Sequence, residues 1–204
     1  MENGLDNLLV PSLRETIEQN LGKKTLDKIE QRLFERHGMN LVQAIKEFSK
    51  FDSVLREFFG AGADGLENKF LKNIIALDTT TKTNSNWFTI HGAQLSKVFL
   101  ESLGDPDKNS IMNSVIDKPM IVSDILDACK IPQTSGYRKI NSLIKSGLLI
   151  PSGFDVTIDG KKVTRYETLH NNIKIDIEKN NIEIKVQMKK QSLERSIIFQ
   201  TIKI

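Results

Sequence analysis

The sequence predicts a mainly α fold with a β-hairpin wing, and three observations predict it. Apolar residues recur three and four apart through the first half of the chain, the period of a helix buried on one face. From about residue 148 the period becomes two, with Asp159-Gly160 as a turn signal between alternating runs. Between the N-terminal helices and the rest, residues 78–86 hold no large apolar residue and mark a linker. The expected architecture is a small N-terminal helical domain (1–77), a linker and connecting helix (78–103), a C-terminal helical unit with a wing and an additional β-hairpin (104–190), and a tail (191–204).

In the first 77 residues, Leu9, Leu13, Ile17 and Leu21 make one apolar stripe. Pro11 fits that segment only in a first helical turn, because it lacks an N–H. Gly22 stops it, and Thr25 is expected to cap a second helix carrying Leu26, Ile29, Leu33 and Phe34 up to Gly38. Asn40 caps a third with Leu41, Ala44 and Ile45. Phe51, Val54, Leu55, Phe58 and Phe59 define a fourth, and Leu66, Phe70, Leu71 and Ile74 a fifth. Five short helices imply a compact all-α domain with its own core. Trp87 to Leu103 read as the connecting helix.

Beyond it, Asp105-Pro106 starts a helix burying Ile111, Met112, Val115 and Ile116. Ser123 is expected to cap a second with Ile125, Leu126 and Ala128. Ile131-Pro132-Gln133-Thr134 is the turn, and a third helix runs from about Ser135 to Ser146, burying Ile140, Leu143 and Ile144 before Gly147. Val156, Ile158, Val163 and Tyr166 suggest a hairpin, and Ile173–Ile177 with Ile182–Met188 suggest another around Lys179-Asn180-Asn181. Three helices followed by a hairpin is the order of a winged helix-turn-helix, over roughly residues 106–168. The tail reads equally as helix or strand.

The run Lys118-Pro119-Met120, Ser123-Asp124-Ile125, Ile131-Pro132, Thr134-Ser135, Tyr137-Arg138-Lys139-Ile140, Leu143-Ile144 and Gly147-Leu148-Leu149 resembles archaeal regulators of the ArsR-like winged-helix superfamily. The likeness continues through Asp159-Gly160-Lys161-Lys162-Val163 and Tyr166, about a third of the chain in all. Gly136 departs from it, standing where an apolar side chain is usual, which implies a frayed or closely approached start to the third helix. The resemblance implies transcription regulation. More loosely, Phe51, Leu55 and Phe58-Phe59-Gly60 with Gly62-Ala63 resemble helical output domains of archaeal signalling proteins, implying signal input, a ligand or a signalling partner, or dimerisation.

Helix geometry supplies the DNA-contacting residues. With Ile140, Leu143 and Ile144 buried, Thr134, Tyr137, Arg138, Asn141, Ser142 and Lys145 face outward. Arg138 and Asn141 suit bidentate reading of guanine and adenine, and Gln133 stands at the helix mouth. Lys139, Lys145, Lys161, Lys162 and Arg165 suit phosphate. Charge distribution agrees: residues 108–165 hold nine Lys/Arg against five Asp/Glu, whereas residues 1–77 hold 11 against 12. Duplex DNA bound by a homodimer is the expected function, since one short helix reads few bases. The alternative is a winged-helix protein-interaction scaffold that binds no DNA.

Other classes find little support. With 39% hydrophobic and 27% charged residues, the 204-residue chain has an ordinary globular composition. No apolar run reaches membrane-spanning length, and no signal-peptide pattern opens the chain, so a cytoplasmic protein without membrane partner is expected. The single cysteine, Cys129, closes no intramolecular disulfide, and His37, His91 and His170 lack ligand spacing, so neither metal nor cofactor is expected. No catalytic constellation stands out, and an enzyme is not expected.

Overall fold

The computed structural model describes residues 4–78, 86–157 and 159–202. Within them the fold is mixed α/β, with eleven helices and two antiparallel sheets. The five expected N-terminal helices are present: α1 (Gly4–Leu21), α2 (Lys23–His37), α3 (Leu41–Lys46), α4 (Phe48–Phe59) and α5 (Gly62–Lys72). Asn40 caps α3 through a capping box, accepting from the Gln43 N–H while Gln43 accepts from the Asn40 N–H. Two expectations shift. Helix α1 begins at Gly4, so Pro11 lies in its body rather than its first turn, and burial of Leu5, Leu8, Leu9 and Leu13 opposes the bond Pro11 removes. Helix α2 starts two residues before Thr25, without a side-chain cap.

The span expected as linker and connecting helix folds differently. Strand β1 (Ile75–Leu77) and β2 (Trp87–Ile90) pair antiparallel, and α6 (Ala93–Gly104) follows. Trp87-Phe88-Thr89-Ile90 has the aromatic and β-branched alternation of a half-buried strand, with Phe88 and Ile90 inward. Residues 79–85 of the expected linker lie outside the described residues.

Next come α7 (Pro106–Ser114), β3 (Met120–Ile121), α8 (Val122–Cys129), α9 (Gln133–Ser146), β4 (Leu149–Val156) and β5 (Lys162–Thr168). Asp105 caps α7 with Pro106 at its first position, accepting from the N–H groups of Asp107 and Lys108 at 3.1 and 3.2 Å. Helix α8 begins two residues earlier than expected, at Val122, so Ser123 lies inside it rather than at its cap. Strands β3, β5 and β4 form a three-stranded sheet in that order. The β4–β5 connection spans 157–161 rather than two residues, because Thr157 ties its ends by bonding both N–H and C=O of Lys161. Ile158 lies outside the described residues.

The second hairpin, β6 (His170–Glu178) and β7 (Asn181–Met188), forms where the alternation predicts it. It does not extend the first hairpin; it joins β1 and β2 in a four-stranded sheet of order β1-β2-β7-β6. The tail is helical, as α10 (Lys190–Glu194) and α11 (Ile197–Thr201). Buried Asp6 of α1 accepts from the Ser196 hydroxyl and, at 2.9 Å, from the Ile197 N–H, seating α11 on the N-terminal helices. Phe199 meets Phe88 edge-on at 5.6 Å. Buried apolar side chains of both halves form one continuous cluster from Leu5 to Ile202, where separate cores were expected. No described helix is long and apolar enough to cross a membrane.

Candidate nucleic-acid interface

Helix α9 is held by its inner face. Ile140 and Leu143 are fully buried, and Gly136 is buried against Leu126 of α8. A Cβ at Gly136 would overlap the Leu126 side chain, so the glycine marks close approach of α8 and α9 rather than a frayed end. The helix stops at Gly147, whose φ of 82° is left-handed and whose N–H bonds the Ile144 carbonyl at 3.0 Å.

The outer face carries the expected residues. Gln133, Thr134, Tyr137, Arg138, Asn141, Ser142 and Lys145 are all exposed, Tyr137 by 48%. Among the described residues, neither Arg138 nor Lys145 has an ion-pair partner, so both charges remain available. Lys139 differs from the expectation. It is half-buried and paired with Asp105, which links α9 to the cap of α7. That hydrogen bond holds the Asp105 carboxyl below the ordinary carboxylate range. An ammonium so engaged is a strut between helices, not an open phosphate contact.

The bases of the β4–β5 hairpin, expected to contact phosphate, are also engaged. Lys161 pairs with Asp159 at 3.0 Å, Lys162 lies 4.6 Å from the centre of the Phe154 ring, and Arg165 pairs with Asp155 at 3.5 Å. All three partners are local, and Lys161 remains 80% exposed, so its charge still faces solvent. Phe154 and Val156 are exposed by 52% and 63% on the same hairpin. Beside it a cavity of about 600 Å³ is lined by Gly4, Asn7 and Lys46 from the N-terminal helices and by Lys145, Phe154 and Tyr166.

Elsewhere the fold gathers groups that sequence spacing did not reveal. Asp52, Asp64 and Glu67 bring one carboxylate oxygen each within 4.8 Å of one another, from α4 and α5. Arg56 pairs with Asp52 at 2.7 Å and with Asp64. Burial and the neighbouring Asp52 charge push the Glu67 carboxyl up to about 8. His170 is buried edge-on to Phe99, at 6.2 Å between ring centres, and burial with the Lys189 charge lowers it to about 4. Neither group had a local motif by which it could be found. No protein-family model, curated protein or solved structure matches the chain.

Proposed function

We propose that residues 106–168 form a winged helix, of the kind used by ArsR-like transcription regulators, and that the protein binds duplex DNA as a homodimer. The order helix, short strand, helix, helix, two-stranded hairpin supports that reading, with α9 as the recognition helix and β4–β5 as the wing. The observation that carries it is the outer face of α9, where Arg138, Asn141 and Lys145 stand exposed, the two cations without an ion-pair partner among the described residues. Arginine and asparagine are the side chains suited to bidentate contact with purine edges, and lysine suits phosphate. Signal input from the N-terminal helices has a route through the cavity shared by α1, α3, α9 and β4–β5, whose size suits a small molecule.

The test is binding to random-sequence duplex as salt is raised. Phosphate neutralisation requires the logarithm of affinity to fall linearly with the logarithm of salt, with a slope set by the number of phosphate contacts. A second reading, a winged-helix protein-interaction module, is favoured by the wing itself. Lys161, Lys162 and Arg165 already have partners within the chain, and Phe154 and Val156 are exposed. Absence of duplex affinity at low salt selects that second reading.

A further inference from the structure

Strand β6 is an open edge of the four-stranded sheet. Glu178 and Asn181 close the β6–β7 turn as a mutually bonded pair, so bonding alternates back along the strand. Lys174 and Asp176 direct their N–H and C=O groups to β7. Ile173, Ile175 and Ile177 direct theirs outward, where no strand among the described residues meets them.

The side chains add a second feature. Ile173, Ile175 and Ile177 share a face with Val186, Ile184 and Ile182, and Ile177 and Ile182 are exposed by 68% and 48%. On the other face Lys174 stands opposite Lys185, and Asp176 opposite Glu183. Like charges directly opposed across a sheet destabilise it. Lys185 is offset by Asp78 at 3.2 Å and by Glu183 at 3.4 Å. Among the described residues Lys174 meets the Trp87 ring, 4.9 Å from its centre, but no carboxylate, and Asp176 meets no cation.

We propose that β6 is the interface of a homodimer, pairing antiparallel with β6 of a second copy about a two-fold axis at Ile175. Outward-bonding residues must meet outward-bonding residues, which leaves axes at Lys174, Ile175 or Asp176 for a well-overlapped pair. An axis at Lys174 sets lysine against lysine, and one at Asp176 sets aspartate against aspartate. The axis at Ile175 sets Lys174 opposite Asp176 of the partner subunit, twice by symmetry, and Ile173 opposite Ile177 of the partner subunit. Each charge that faces its like on β7 thereby gains its opposite on the other side, and two four-stranded sheets become one continuous sheet. This interface deepens the homodimer part of the proposed function and rests on that part alone.

The experiment is sedimentation equilibrium on the full chain without DNA. A dimer is expected, with a dissociation constant raised about tenfold by Lys174→Asp, since two junctions become repulsive. Within one chain the same change exchanges the contact with the Trp87 ring for an attraction to Lys185 in place of a lysine–lysine opposition, so thermal stability of the monomer changes little. Adding Asp176→Lys restores complementarity and brings the constant back. Ile175→Pro removes an outward N–H, leaves the β7 ladder its bonds, and abolishes the dimer. If circular dichroism shows that the proline variant has lost its fold, the charge reversal and its rescue decide alone. A chain that is monomeric throughout, or a dimer indifferent to these changes, overturns the interface. Loss of duplex affinity with the dimer intact counts only against the DNA reading.

Discussion

A Cβ on Gly147 would overlap the Gly4 carbonyl oxygen, so the first residue of α1 closes over the residue that ends α9. Two demands meet at Gly147: a left-handed φ and room for a backbone atom from a segment 143 positions earlier. Gly147→Ala is expected to lower stability by about 2–4 kcal/mol, combining the left-handed penalty with overpacking against main chain. The midpoint of urea unfolding measures it, and an unchanged midpoint would show that the α1–α9 contact gives way freely.

Neighbouring bases on α9 are expected to separate by phenotype. Arg138→Ala should weaken cognate duplex binding by about 1–3 kcal/mol and relax preference at one base position, leaving stability alone. Lys139→Ala should cost about 0.5–1 kcal/mol of stability through Asp105 and barely alter affinity. Paired titrations and melts on both variants check this; a larger binding loss for Lys139 would reverse the assignment.

On the wing, Lys161→Ala with Lys162→Ala should weaken binding almost equally on all sequences. The salt slope should fall by about one to two units. A loss confined to one sequence would instead make the hairpin a base reader.

Stability should fall on acidification through His170. Its folded pKa is depressed to about 4 from 6.5, so between those values the unfolded chain binds more protons. The contribution is complete above about pH 6.5 and is lost as pH falls towards 4, to a limit of about 3 kcal/mol. Unfolding free energies of the wild type and of His170→Leu across that window test it. The wild type should lose the extra stability there, and the variant should not.

Removing the Asp6 carboxylate should loosen the tail. Asp6→Ala leaves the buried Ser196 hydroxyl and the Ile197 N–H without their acceptor, costing about 2–3 kcal/mol. Hydrogen exchange should quicken in α11 before it quickens in α9; equal protection throughout would mean that the tail is held by Ile198 and Phe199 alone.

Local regularities in the sequence carried the helices and hairpins. The Asn40 cap, the Asp105-Pro106 start, the stop at Gly147 and the alternation of Ile173–Ile177 each depend on neighbours within a few residues, and each forms as read. So does exposure of Arg138 and Asn141, because Ile140 and Leu143 fix which face of α9 is inward. What depended on distant partners could not be read. Trp87–Ile90 became a strand because β1 and β7 flank it, and the 170–188 hairpin joined them because its apolar face fits that sheet. Lys139, expected at phosphate, meets a carboxylate 34 residues away instead, and Asp6 found the tail across 190 positions. Burial, ion pairing and strand order are set by atoms brought together only when the chain has closed on itself, and periodicity along one segment holds no record of them.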